Sequence, residues 1–322
     1  LREIAPEPSS RRATILDKKM SDQSQLITLR DDSGAKAVIS PAMGAWLLRY
    51  SRPLQGLGDV DGLYFSQEVV DRYPNQMYAG NPLLFPQVSY SHLPGREHHY
   101  QHQGQVYALP QHGFARRTPW RVIGVNENSV AMELTDSPQT RTAYPFDFRV
   151  EVRYELRDGR LHFRQVVENP GTAPLPFSTG IHPYYPVPII SGSQRNHCYV
   201  ELPAARRVVP HENWQSWSTE PFRSKKLSVN EDVSGTLFLT DLATPEISLV
   251  DPDASVRITL NFAQATLHRF VALWSKSTSD PFYCIEPWTA LPNSLNREKT
   301  EIIIVSPGDR FEAEIWMDIS RL

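Results

Sequence analysis

Three features of the 322-residue sequence predict an all-β protein built as a large antiparallel β-sandwich. Short runs of alternating apolar and polar residues recur along the chain, turn-forming Pro, Gly, Asn and Asp separate most of them, and helix-period stretches are scarce. This is the pattern of strands joined by tight turns. The 27 prolines leave little room for long helices. Hydrophobic residues make up 40% of the chain and charged residues 21%, the balance of a globular protein with a substantial core.

Residues 1–22 are polar and charged, carry Pro6, Pro8 and the Ser9–Arg12 run, and show no periodicity, so they read as a mobile lead-in. Residues 23–322 show no repeat, no low-complexity linker and no break in composition, which predicts a single domain. The clearest element lies between Phe146 and Val167. Phe148, Val150, Val152, Tyr154 and Leu156 alternate with charged residues, Arg157-Asp158-Gly159-Arg160 supplies turn chemistry, and Leu161, Phe163, Gln165 and Val167 resume the period of two. That combination predicts a hairpin. Similar strands are expected at Val130–Leu134, Ile247–Val250, Val256–Phe262, Phe270–Trp274, Phe282–Ile285, Glu301–Val305 and Phe311–Met317. The best helix candidate is Ser66–Tyr73, and it is short.

The formal charge of −3 argues against a nucleic-acid partner, which needs a basic stripe to neutralise phosphates. No apolar run approaches the ~20 residues of a membrane-spanning helix. Cys198 and Cys284 are too few for a disulfide framework or a cysteine-rich metal site, and they read as reduced thiols of a cytoplasmic protein.

Two segments carry the chemistry. Ser178–Tyr185 and Phe282–Trp288 each end an apolar run on one titratable residue, His182 or Glu286, followed at once by proline and aromatics. Placed at the rim of a sheet, they form a proton donor and acceptor, the minimum equipment for acid–base catalysis without a cofactor. Taken singly, each has a plainer reading: a satisfied core histidine, and a strand-end glutamate reaching solvent or an arginine. Glu286 follows a run that looks buried, where a carboxylate is costly unless it is paired or its pKa is raised. The Gln111–Arg116 run, with Gly113, predicts a tight loop presenting His112 and Arg116 to hydroxyls or an anion. Asn81–Gln87 is a proline-bracketed segment whose Asn81 and Gln87 amides face a pocket in this reading. His98, His99 and His102 would share a metal only on a helix, which Gly95 and Gly104 oppose, so no metal is expected. Phosphate loops, dinucleotide fingerprints and nucleophile elbows are missing.

Together, Asn81–Pro86, the His112–Arg116 run with Trp120, His182-Pro183-Tyr184, and Cys284–Trp288 followed by Pro292-Asn293 resemble the aldose 1-epimerase (galactose mutarotase-like) family. The resemblance runs from about residue 25 to the C-terminus and implies a β-supersandwich. It implies that Glu286 takes the proton of an anomeric hydroxyl while His182 donates one to the ring oxygen, from opposite sides of the reacting atoms. It implies sugar contacts from His112, Arg116, Asn81, Gln87, Asp241 and Trp288, and a reaction needing neither metal nor nucleotide. Two positions depart from the pattern: Tyr90 stands near the place of a family arginine, and Gly235 at that of an aspartate, with Asp232 and Asp241 nearby. Members acting on hexose 6-phosphates use extra arginines, for which Arg116, Arg117 and Arg96 are candidates. The expectation is a mutarotase on a free or phosphorylated aldose. The alternative from another class is a carbohydrate-binding protein on the same scaffold.

Overall fold

Alternation along the strands decides the architecture. The computed structural model describes residues 26–297 and 301–322, so the expected lead-in over residues 1–22 lies outside the described residues. Two large antiparallel sheets dominate. The first has nine strands in the order Arg121–Val125, Ser129–Thr135, Arg149–Arg157, Arg160–Glu168, Arg310–Arg321, Val256–Gln264, Glu246–Asp251, Tyr199–Glu201 and Lys226–Ser228. The second has eight. Ser216–Phe222, Ala205–His211, Leu237–Thr240, Phe270–Trp274, Phe282–Trp288, Gly180–Ile181 and Leu83–Leu84 lie side by side, and Tyr184–Pro186 also pairs with Phe282–Trp288. A four-stranded sheet spans Ile27–Asp61.

The two large sheets share one hydrophobic cluster. Val150, Val152, Tyr154, Ile258, Leu260 and Ile315 come from the nine-stranded sheet, and Leu239, Val271, Leu273, Tyr283 and Ile285 from the eight-stranded one. Because side chains alternate, the neighbours of that last group point the other way. Phe270, Ala272 and Trp288 belong to one separate cluster, and Phe282 and Cys284 to another. Glu286 shares their face. This face of the eight-stranded sheet is covered by loops, so the Phe282–Trp288 strand is buried along its whole length. That is why its sequence reads as a nearly continuous apolar run rather than an alternating one.

The outer face of the nine-stranded sheet is charged and internally paired. Arg149 donates to Glu133 and Glu168 on the two flanking strands and to Glu151 on its own, while Arg164 donates to Glu312 across strands, as expected for opposite charges on one face of a sheet.

The predicted hairpin forms as Arg149–Arg157 and Arg160–Glu168, joined through Asp158 and Gly159 with φ of 52° and 81°. Two left-handed residues give the turn whose twist matches the flanking strands. The helix expected at Ser66–Tyr73 is Gln67–Asp71, with the Ser66 hydroxyl accepting from Val69 N–H as N-cap. A second helix, Pro138–Ala143, was not anticipated; Ser137 caps it and Pro138 occupies its first turn. Several strand boundaries move, most often outward, as where Phe311–Met317 lengthens to Arg310–Arg321. Glu301–Val305 shortens to Ile303–Val305, because Glu301 is engaged with Arg297 and the Leu291 N–H instead. Phe282–Ile285 lengthens to Trp288, so Glu286 lies inside a strand rather than at its end. No helix among the described residues is long and apolar enough to cross a membrane.

Gly159→Ala is expected to lower stability by roughly 1–2 kcal/mol, because the left-handed conformation opposes a Cβ. That Cβ would also meet the Arg52 guanidinium at 2.6 Å. Urea unfolding checks this, and an unchanged midpoint would contradict the turn assignment.

Candidate active site

The register between the Phe282–Trp288 strand and its neighbour places the two titratable residues of the cavity wall opposite one another. Tyr184, Tyr185 and Pro186 pair with Cys284, Tyr283 and Phe282, and Gly180 pairs with Trp288. His182-Pro183 falls between these two pieces, opposite Glu286. The His182 N–H points to the strand's other neighbour, where it donates to the Pro82 carbonyl at 3.1 Å, in register with the Leu83–Leu84 pairing, and to Asn81 Oδ1 at 3.0 Å. On the other side Glu286 pairs with Ala272, whose small side chain shares its face of the sheet. His182 Nε2 therefore meets Glu286 Oε2 at 3.3 Å on the wall of a cavity of about 380 Å³. The pair is side by side, not on opposite sides of a gap as the resemblance implied. Two adjacent strand segments project both groups into the same opening.

His112 stands next to them. His112 and Gly113 both have positive φ, and a Cβ on Gly113 would lie 2.1 Å from the Phe85 carbonyl oxygen, so this loop rests directly on the 81–87 segment. The Ser89 N–H donates to His112 Nδ1 at 3.0 Å, which leaves the proton of the neutral ring on Nε2, a donor at the cavity. The His112 ring is edge-on to both His182 and Trp288, at 5.4 and 5.6 Å. Arg116 is buried, donates to the Gln111 carbonyl at 3.1 Å, and lines the cavity. His182 stacks on Tyr184 with ring planes 7° apart. Tyr78, Trp274, Trp288 and Phe238 complete much of the aromatic wall.

Burial controls the protonation of these groups. It drives the His182 imidazole down to about 3, helped by the positive charge of Arg116. His112 falls well below its ordinary value for the same two reasons. Arg116 itself drops to about 10 through burial, a value at which it remains charged at neutral pH. Burial pushes the Glu286 carboxyl well above the carboxylate range, opposed by Trp288 and by Arg116. Burial thus disfavours the charged form of both groups, lowering His182 and raising Glu286, so it favours a proton on the carboxyl over one on the imidazole. Three polar atoms of the group, Arg116 Nε, His182 Nδ1 and Glu286 Oε2, are buried with no hydrogen-bond partner. Such atoms are costly in a core and find use where a polar ligand enters.

Ligand atoms of His182, Cys284 and Glu286 lie within 4.8 Å of one another, since Cys284 and Glu286 share a strand face. The charge of Arg116 beside this trio opposes a divalent cation. Cys284 packs instead with Tyr184 and Phe282.

Of the sequence-predicted residues, His182, Glu286, His112, Arg116 and Trp288 converge on the cavity. Asn81 and Gln87 do not line it. Asn81 holds the His182 backbone, and the Gln87 amide donates to the Leu109 and Pro110 carbonyls, which fixes the loop that carries His112. Asp241 is a correction: it is exposed just beyond the Leu237–Thr240 strand and faces a different depression. Asp232 is tied to Ser234 and lies outside the lining, whereas Gly235 and Tyr90 are in it. Arg117 lines the mouth; Arg96 is outside. The histidine cluster sits on two-stranded ribbons, with His98 at φ 58°, so the helix that metal binding required is not there. Sequence reasoning missed Tyr78, Ser89, Trp214, Phe238 and Trp274. Trp214 alone left a signal, as a tryptophan within a polar turn.

The fold and the site define a β-sandwich with a buried acid–base pair in an aromatic, polar-floored cavity. The chain belongs to the aldose 1-epimerase family, whose model matches residues 25–318. Among its relatives is the chromosomal LacX protein of Lactococcus lactis subsp. lactis, 24% identical over 275 residues, or 80% of this chain and 89% of that protein. The Slr1438 protein of Synechocystis sp. PCC 6803 has a similar structure, with a TM-score of 0.77 and 26% identity over 94% of this chain and 97% of that one. A galactose mutarotase related enzyme from Lactobacillus acidophilus shares the fold at a TM-score of 0.76 and 24% identity, over 92% of this chain and 97% of its own.

The buried imidazoles make stability pH-dependent. His112, His182 and His268, the last lowered to about 4 by burial, resist the protons that the unfolded chain takes up below about pH 6.5. Their contribution is complete above that pH and is lost as pH falls. Glu286, with its raised value, acts oppositely and loses its contribution as pH rises. A net excess of about two protons on the unfolded chain corresponds to roughly 3 kcal/mol per pH unit. The urea midpoint should therefore drop between pH 7 and pH 5, and less steeply in His268→Phe. A midpoint independent of pH would contradict the buried neutral imidazoles.

Proposed function

We propose that the protein is an aldose 1-epimerase in activity as well as in family, interconverting the α and β anomers of an aldose. The observation that carries this reading is the 3.3 Å contact of His182 with Glu286 at the wall of the cavity. The two hemiacetal oxygens of an aldose sit on one carbon, so a donor and an acceptor side by side can reach both at once. Glu286 removes the proton of the anomeric hydroxyl as His182 delivers one to the ring oxygen. The bond from C1 to the ring oxygen breaks and an open-chain aldehyde forms.

Rotation about C1–C2 presents the other carbonyl face. The ring hydroxyl then attacks it, His182 takes back its proton, and Glu286 protonates the new anomeric oxygen. The open-chain stage leaves the proton on Glu286, the same placement that burial favours in the open site. Ring closure restores imidazolium and carboxylate, so each turnover ends with the pair in the protonation arrangement with which it began. His112 Nε2–H and Arg116 would donate to sugar oxygens, and the aromatic wall suits the apolar face of a pyranose. A binding protein without turnover has no use for a carboxyl and an imidazole held in contact at this burial, which favours the enzyme.

Glu286→Gln and His182→Asn should each slow α/β exchange by more than about 100-fold, the usual scale of acid–base catalysis. Exchange NMR with glucose, galactose and glucose 6-phosphate measures this. Wild-type rates in either variant would sink the assignment.

Activity requires one proton on the pair, so kcat/KM should carry an alkaline limb where Glu286 finally ionises. Arg116 lowers Glu286, hence Arg116→Gln should move that limb to higher pH along with any loss of rate. A limb that stays in place would detach Arg116 from the electrostatics of the pair.

A further inference from the structure

One residue of the cavity comes from an unexpected direction. The edge hairpin of the eight-stranded sheet, Ala205–His211 with Ser216–Phe222, closes through residues 212–215. Glu212, Asn213 and Trp214 are all left-handed there, with φ of 48°, 51° and 67°. Non-glycine residues seldom adopt this conformation, and three in succession persist only where surrounding contacts hold them. Here the contacts are specific. Arg297, buried, donates to the Trp214 carbonyl at 3.2 Å and also to the Pro292 carbonyl, and it pairs with half-buried Glu301. Glu301 in turn accepts from the Leu291 N–H. The Asn213 amide hydrogen-bonds the His92 ring at 3.0 Å, and the His92 N–H donates to Asn293 Oδ1. Asn293 N–H donates to the carbonyl of Tyr90, itself a lining residue.

This web joins three loops that wall the cavity, at Tyr90, Trp214 and Pro292. None of its members touches the acid–base pair. Trp214 is half-buried, with its ring edge-on to Phe238 at 5.1 Å; Phe238 contacts Trp288 at 5.4 Å, Trp288 contacts His112, and His112 contacts His182. Trp214 is thus the far end of a continuous wall of rings that begins at the pair.

We infer that Trp214 is a specificity-determining platform for the part of the sugar remote from its anomeric carbon, and that Arg297 is the positioning residue that holds it over the cavity. The inference rests on the reading of the cavity as an aldose site. An aldose whose C1 lies at His182 and Glu286 extends along the wall toward Trp214. A flat indole there covers apolar C–H faces and takes no part in proton transfer. Arg297 is suited to the task because one guanidinium spans two carbonyls and a carboxylate, which a lysine cannot do.

The test is the split between KM and kcat in anomer exchange, together with binding that needs no turnover. Trp214→Ala should raise KM for the preferred aldose about tenfold, the scale of one lost apolar contact, and leave kcat within about threefold. Trp214→Phe should restore most of the affinity. Arg297→Lys keeps the buried charge beside Glu301 but loses the carbonyl bridge, so it should raise KM in the same direction and lower the thermal midpoint by only a few degrees while the protein stays folded. Unchanged KM in Trp214→Ala, or a fall in kcat alone, would overturn the platform.

Saturation-transfer NMR with methyl β-galactoside and methyl β-glucoside separates this inference from the proposed activity, since neither glycoside can open its ring. Binding to the wild type that is weakened in Trp214→Ala supports the platform even if no aldose is turned over. Binding that the substitution leaves intact overturns the platform while the activity stands or falls by the Glu286 variant. No binding of either glycoside and no exchange of any aldose would overturn both.

Discussion

The arrangement depends on the break at His182-Pro183 in the sheet next to the Phe282–Trp288 strand. The register does not slip across that break: Gly180 faces Trp288 and Tyr184 faces Cys284, so His182 stands directly across from Glu286 and both side chains leave the same face of the sheet. The His182 N–H points the other way, to Asn81 and Pro82. Proline at 183 has no N–H to give the ladder, so the interruption is written into the backbone chemistry. Everything else supports this opening: the 81–87 segment that anchors it, the His112 loop resting on Phe85, and the outer loops that close over it.

Such a site is built against stability. A carboxyl, two imidazoles and a guanidinium share one buried wall, and several of their polar atoms have no partner. Burying unpaired polar groups costs on the order of 1–3 kcal/mol each, and charged ones more. The scaffold offsets this elsewhere. The inter-sheet core is a single cluster running from Leu29 to Ile319, and the outer face of the nine-stranded sheet is laced with facing charges. Proton chemistry benefits from the same burial, which drives the two pKa values apart.

The cavity divides into two parts. His182 and Glu286, the pair of the proposed proton transfer, belong to the sheet, whose strands hold them with little freedom. The remaining wall is supplied by loops, tied together by Arg297, Glu301 and Asn293 rather than by strand pairing. Loops tolerate substitution better than strands. Tyr90 and Gly235 occupy that loop-borne portion in place of the charged residues expected from the resemblance.

By itself the sequence determined the sandwich, the Asp158-Gly159 hairpin and most strand positions, and it singled out His182 and Glu286, which meet at the cavity, because these follow from local patterns: a period of two, a two-residue turn, a titratable residue before proline. It also placed His112, Arg116 and Trp288 at the cavity through their motif. Local signals stop where contacts are made between distant segments. Asp241 lies near the place of the family aspartate in sequence, yet a left-handed backbone just past the Leu237–Thr240 strand carries it to another surface. Asn81 and Gln87 were legible as functional amides, but only the fold shows that they hold backbone instead of lining the cavity. Pro287 promised an early strand end, and pairing on both sides carried the strand on to Trp288. Trp214 and Arg297 lie some eighty positions apart, and no period or motif joins them. Their contact arises only when an edge hairpin folds back over the sheet, a long-range event that tertiary packing decides.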